Sequence, residues 1–307
     1  MRQEVAEAIQ KANLNRAKVL EDLNPEQRTS LLESLFKDYY IDQHLTLQKW
    51  AALTGQSAQI DTGYMAQFIA SIILGIPGQG FRGKGDDLID GSEVKSAANI
   101  SGVDRPRWNH NLGTLAHDAS RRKKDLPTAW EQYLACPTIV YILVDRVATP
   151  QPSTPRDIRI RTWCVDAQND TAWRDLLQVY VENREGNRYN YQLHPPVGYD
   201  DDVVVNTLGN LDFGEVLVLD ARVRLAADPE ASTITWTKRP TFPVTPILGR
   251  VKPRPYGETA RPSNLMGSVD VVPDTGTLPG LFPDILSEEI EHRIRKSANQ
   301  ESATDAL

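Results

Sequence analysis

Seven consecutive residues, Thr138-Ile139-Val140-Tyr141-Ile142-Leu143-Val144, are uncharged, mostly apolar and rich in β-branched side chains. A run of this kind is predicted to be a strand buried on both faces. Its neighbours set the wider pattern: an apolar helix from Tyr64 to Leu74, an acidic turn-containing stretch, a second helix, then this strand. The chain therefore reads as α/β of the mixed α+β kind, a central mixed sheet flanked by helices and preceded by an N-terminal helical region.

Residues from about Gln3 to Leu53 read as helices. Asn24-Pro25-Glu26 is a start signal with proline at the first helical position. Leu31, Leu32, Leu35 and Phe36 follow at helical spacing, and a further helix from Leu45 to Leu53 ends at Gly55. Leu47, Trp50, Ala51, Thr54 and Gly55 resemble the first half of a helix-turn-helix. The following segment, Ile60 to Met65, offers no basic or amide-rich recognition helix, so ordinary helix packing is the reading. Asp61-Thr62 caps the apolar helix, and Gly75 and Pro77 stop it. A Gly-rich segment, Pro77 to Gly85, then leads into the acidic stretch; it lacks a Walker-A pattern and a preceding strand, so it reads as an approach loop.

Past the acidic stretch, Ser96 to Asn111 reads as a polar connection, followed by a helix through Leu115, Ala119 and Trp130 to Leu134. Arg156 to Val165 alternates as a strand, and Ala172 to Val181 reads as a helix. Val203 to Val205, Glu215 to Leu225 and Thr233 to Thr237 supply further strands. Pro240 to Pro283 is rich in Pro and Gly and is predicted to form long ordered loops before a short helix, Ser287 to Lys296.

The acidic stretch is Gly85-Asp86-Asp87-Leu88-Ile89-Asp90-Gly91-Ser92-Glu93-Val94-Lys95. In a strand, Glu93 and Lys95 share a face while Val94 takes the other. Asp90-Gly91 is a two-residue hairpin signal that would pair Leu88 with Glu93 and Asp86 with Lys95. A three-residue loop would place Asp87 opposite Glu93 instead, because a slip of one residue exchanges faces. Both aspartates stay in view, with the two-residue turn favouring Asp86. Two carboxylates beside one ammonium suit Mg²⁺-dependent attack on a phosphodiester. The pattern by itself is permissive; its place between an apolar helix and a helix-then-buried-strand pair gives it weight.

The formal net charge of −7 argues against indiscriminate coating of nucleic acid. Local basic stretches remain: Lys238, Arg239, Arg250, Lys252, Arg254 and Arg261, and a cluster of Arg105, Arg107, Arg121, Arg122, Lys123 and Lys124. No apolar run approaches membrane-spanning length, and the polar N-terminus does not read as a signal peptide. Cys136 and Cys164 lack metal-like spacing and read as buried thiols in a reducing, cytoplasmic setting. His110 and His117 form a candidate metal pair, with a helix-surface pair as the preferred reading.

The helix, acidic motif, helix and buried strand resemble the core of the PD-(D/E)xK nucleases over roughly Asp61 to Val147. The matching residues are Asp86 or Asp87, Glu93 and Lys95, with Val94 as spacer and Gly85 where a proline usually stands. Together with Arg105-Pro106-Arg107-Trp108-Asn109-His110-Asn111, the chain is most similar to type II restriction endonucleases, the MamI-like enzymes among them. The resemblance implies a restriction-endonuclease-like fold and Mg²⁺ held by Asp86 or Asp87, Glu93 and the Val94 carbonyl. Lys95 would orient or deprotonate the attacking water. It implies duplex DNA cut to 5′-phosphate ends by a homodimer, with Arg105, Arg107, Asn109, Lys238 and Arg239 as DNA-contact candidates. The organisation expected is a helical region over 1–60, a catalytic core over 61–150, the remaining core strands with recognition and dimerisation elements over 151–297, and a disordered tail over 298–307. The alternatives are a repair nuclease or junction resolvase of the same superfamily, or a non-catalytic helix-turn-helix regulator.

Overall fold

The computed structural model describes residues 20, 22–55, 58, 61–78, 87–88, 90–100, 105–112, 129–146, 156–183, 190–197, 203–205 and 210–243. Asp86, His117, Arg121 to Lys124 of one basic cluster, Arg250 to Arg261 of the other and the predicted final helix lie outside them. The chain divides into two compact units: 1–34 with 67–91 and 242–307, and 35–66 with 92–241.

In the first unit, Asn24 opens helix α1 (Pro25–Phe36), which ends in the second unit. Its Oδ1 accepts from Gln27 N and its own N–H donates to Gln27 Oε1, both at 2.9 Å, a reciprocal capping box. Arg28, one turn on, donates to the carbonyls of Leu20 and Leu23. Helix α3 (Thr62–Leu74) begins in the second unit, where Asp61 Oδ1 accepts from Gly63 N. It stops in the first unit at Gly75, which has φ +70°. The Asp90-Gly91 signal does form a turn: Gly91 N donates to Leu88 O at 3.1 Å, with Gly91 at φ +92°, a conformation that favours glycine.

In the second unit, α1 passes through a π-helical stretch, Lys37–Asp42, into α2 (Gln43–Thr54). The connection to α3, Gly55 to Asp61, is longer than the roughly 3–4-residue turn of a helix-turn-helix. Trp50 and Leu53 are 56% and 77% exposed, so α2 does not seat an apolar stripe as that motif's packing requires.

The second unit is built on five strands in the order β1-β3-β4-β8-β9. They are β1 (Glu93–Ile100), β3 (Ile139–Arg146), β4 (Arg156–Val165), β8 (Leu217–Leu225) and β9 (Thr233–Lys238). β1 runs parallel to β3 and the other pairs are antiparallel, giving a mixed sheet. Helices accompany it in α/β fashion, α4 (Ala129–Ala135) between β1 and β3 and α5 (Thr171–Asn183) after β4; this matches the restriction-endonuclease-like class expected. β3 is buried from Ile139 to Asp145, as its apolar run predicts.

One face of the sheet carries Ala97, Tyr141, Leu143, Trp163 and Val165, and covers them with Trp173 and Leu177 of α5. Against the same core lies a two-stranded ribbon, β2 (Trp108–Asn111) paired with β5 (Asn190–Leu193). β6 (Val203–Val205) and β7 (Asn210–Asp212) form a second short pair. On the opposite sheet face, Phe36 packs on Trp236 with ring centroids 5.9 Å apart.

Two expectations are corrected. Ser96 to Ile100 is strand, because β1 continues in register with Ile142 to Arg146 rather than ending at Lys95. The hairpin pairing of Leu88 with Glu93 does not form: Leu88 bridges Gly78, and Glu93 opens a strand whose ladder runs to β3. Among the described residues, no helix is long and apolar enough to cross a membrane.

Candidate active site

Strand alternation puts Glu93 and Lys95 on one face of β1, opposite Ile139 and Tyr141 of β3. Lys95 Nζ donates to Glu93 Oε1 at 2.5 Å, with both side chains largely withdrawn from water (15% and 13% exposed). The ammonium also lies over the ring of Tyr133 from α4, 5.2 Å from its centroid. Burial works to lower the Lys95 pKa, but the Glu93 charge and the Tyr133 hydroxyl outweigh it and hold the amine above its ordinary value. Tyr133 is itself raised, by burial first, with Lys95 opposing.

The β1 backbone adds a donor. Glu93 N donates to Thr138 O, and in a parallel pair the N–H and C=O of one residue face the same neighbour. The carbonyl of the next residue, Val94, therefore turns to the side of β1 away from β3. A carboxylate and a carbonyl are hard oxygen donors, the chemistry that Mg²⁺ favours. Among the described residues, no group of three or more His, Cys, Asp or Glu is placed to hold a metal ion, so Glu93 and the Val94 carbonyl are an incomplete ligand set by themselves.

Asp87 belongs to the first unit, where its Oδ1 accepts a hydrogen bond from Gln67 Nε2 of α3 at 2.8 Å. Gln67 was not singled out from the sequence, because on an apolar helix it reads as a surface residue.

Behind Lys95 sits His110 of β2, fully buried rather than on a helix surface. Its Nε2 is 2.8 Å from Tyr141 Oη, its Nδ1 3.3 Å from Tyr191 O, and Trp173 Nε1 donates to Tyr141 Oη at 2.8 Å. One arrangement satisfies all three: Nδ1–H donates to the carbonyl, and Tyr141 donates to Nε2 while accepting from Trp173. Burial, with the nearby Lys95 charge second, pushes the imidazole down to about 3, so it is neutral. His110 thus serves in a buried structural hydrogen-bond relay, while His117 lies outside the described residues. Both cysteines are free thiols, Cys136 buried as expected and Cys164 only half-buried, its thiol pushed up to about 12 by burial.

The remaining candidates separate in space. Arg105, Arg107 and Asn109 are exposed at the β2 ribbon. Lys238 and Arg239 lie at β9, the sheet edge opposite β1 and four strand spacings away, about 19 Å. Lys238 Nζ donates to Leu217 O at 2.5 Å, while Arg239 is exposed.

A family model of the MamI restriction endonuclease matches residues 49–224. The chain belongs to the MamI restriction endonuclease family. A curated relative, the Type II restriction enzyme MamI of Microbacterium ammoniaphilum, is 58% identical over 288 residues, covering 94% of this chain and 92% of its own. No solved structure matches the chain. The stretch matched by the family contains Asp86, Asp87, Glu93, Lys95 and the β2–β5 ribbon, and ends before Lys238 and Arg239. Family likeness thus reaches well beyond the Asp61 to Val147 core that the sequence motifs cover.

Proposed function

We propose that this chain is a type II restriction endonuclease that hydrolyses phosphodiesters of duplex DNA at a specific sequence. The observation that carries this is the Glu93–Lys95 pair at 2.5 Å on β1, inside the stretch that the restriction-endonuclease family model matches.

In this reading Glu93, the Val94 carbonyl and Asp86 or Asp87 would hold Mg²⁺. Bound Mg²⁺ supplies polarisation of the scissile phosphate and a more acidic water. Lys95 places a positive charge where negative charge develops on the phosphate oxygens, and orients the attacking water. Tyr133 keeps the ammonium at that position by packing beneath it. The products are 5′-phosphate and 3′-hydroxyl ends. The core over 61–150 carries the chemistry, and 151–297 supplies the remaining core strands and further recognition and dimerisation elements. The enzyme works as a symmetric dimer on a palindromic site; sedimentation at the mass of a single chain on such a duplex would contradict that.

Incubation with phage DNA and Mg²⁺ tests the activity: discrete fragments support a restriction enzyme, a smear a non-specific nuclease, and intact DNA neither. Glu93→Ala and Lys95→Ala are each expected to lower the cleavage rate at least about 100-fold, while duplex affinity stays within a few-fold. Cleavage retained by both variants would remove this centre from consideration.

A further inference from the structure

The β2–β5 ribbon has two unlike faces. Burial along β2 alternates, with Trp108 and His110 buried and Asn109 and Asn111 exposed. Along β5, Tyr191 and Leu193 are buried, Asn190 is exposed and Gln192 half-buried. Register places Asn109 directly opposite Gln192, and Asn111 opposite Asn190. Four amide side chains therefore share one face of a two-stranded ribbon, and Arg107 continues the same alternation.

This composition runs against local preference, because asparagine, which stands at three of the four positions, is disfavoured in strands. Such local violations concentrate where function demands them. The inner face anchors the ribbon firmly. Trp108 Nε1 donates to Ile142 O at 2.9 Å, His110 joins the Tyr141 relay, and Tyr180 Oη of α5 donates to Asn190 O at 2.6 Å. The ribbon is thus rigidly mounted on the core that also holds Lys95 and Tyr133, as a reading element must be.

We propose that this outer face enters the major groove and reads base edges, adenine above all. The proposal rests on the reading of the chain as an enzyme of duplex DNA. A two-stranded ribbon fits the major groove, and Asn and Gln each match the N6–H₂ and N7 of adenine in bidentate fashion. Side chains two residues apart on a strand are about 6.8 Å apart, two base-pair steps of about 3.4 Å each. The Asn109–Gln192 and Asn111–Asn190 pairs therefore address positions about two steps apart along the site. Arg107 suits a guanine edge or a phosphate beside them.

The test uses the full chain carrying Lys95→Ala, so that bound duplex stays intact, and a pool of random-sequence DNA duplexes. Rounds of binding selection are run with this protein and with the same protein carrying Asn109→Ala, Gln192→Ala, or both. The parent is expected to enrich a motif with fixed A·T pairs. Each ribbon substitution is expected to erase preference at particular positions, lowering discrimination against a changed adenine there by about 10-fold, with the slope of binding against salt unchanged. Melting temperatures matching the parent confirm folding, and the single variants keep the test open should the double variant not fold. Identical motifs from parent and variants, no motif from the parent, or a uniform loss of affinity with a shallower salt slope would each overturn the proposal. A clear motif with phage DNA left uncut by the unsubstituted chain would instead overturn the nuclease reading alone.

Discussion

Lys95 and His110 show how one core treats two nitrogen bases in opposite ways. Lys95 has Glu93 at 2.5 Å to stabilise its charge, and Glu-x-Lys could be read directly because strand alternation puts residues two apart on one face. Among the described residues His110 has neutral partners, Tyr141, Tyr133, Tyr191 and Trp173, and faces the Lys95 charge. Nothing in the sequence separates it from an exposed histidine; its burial depends on β5, 81 residues away. Its folded value of about 3 lies below the ordinary 6.5. The unfolded chain therefore takes up a proton first, so this contribution to stability is complete above pH 6.5 and is lost as pH falls towards 3. Between pH 6.5 and 5 we expect stability to fall by about 1 kcal/mol per pH unit. Urea midpoints at both pH values should show that slope in the unsubstituted chain and a flatter one in His110→Asn; equal slopes would remove His110 as its source.

At the scale of elements, helix ends were legible because caps are local: Asn24 with Gln27, Asp61 with Gly63, and Gly75 each act within a few residues. Gly75 also has a non-local role. A Cβ there would lie 2.5 Å from Arg28 Nη2, the atom that donates to Leu20 O. Gly75→Ala combines a left-handed backbone with displacement of that guanidinium, and should cost at least about 1–2 kcal/mol. A thermal midpoint equal to that of the unsubstituted chain would show that Arg28 moves aside freely. Strand partners were less legible than helix ends. The hairpin expectation failed because Asp90-Gly91 specifies a turn and not what its arms pair with. Glu93 finds Ile139, 46 residues on, and that choice is tertiary. β5 was missed since Asn190-Tyr191-Gln192-Leu193 is short and half polar.

Over the whole second unit, the sheet buries a row of charge that its alternating pattern would have placed in water. Arg159 Nε and Nη2 grip the two oxygens of Asp220 at 2.9 and 2.6 Å, Asn99 donates to Asp145 at 2.6 Å, and Arg161 donates to Pro196 O at 2.7 Å. Removing one partner of such a pair strands the other, so Asp220→Ala should destabilise by about 3–5 kcal/mol. Chemical denaturation would measure it, and a loss below about 1 kcal/mol would mean that Arg159 finds water or another acceptor. Local physics accounts for what was readable beforehand. The run Thr138 to Val144 is apolar on both sides and must be covered, capping residues stop helices, and Glu93 and Lys95 must share a face in any strand. Tertiary structure alone decided which strands are neighbours, that the arginine face of β4 is buried against carboxylates, and that four scattered amides meet on one ribbon. Each of these depends on residues tens of positions apart being brought together, and loop closure over such distances costs too little free energy for the intervening sequence to announce it.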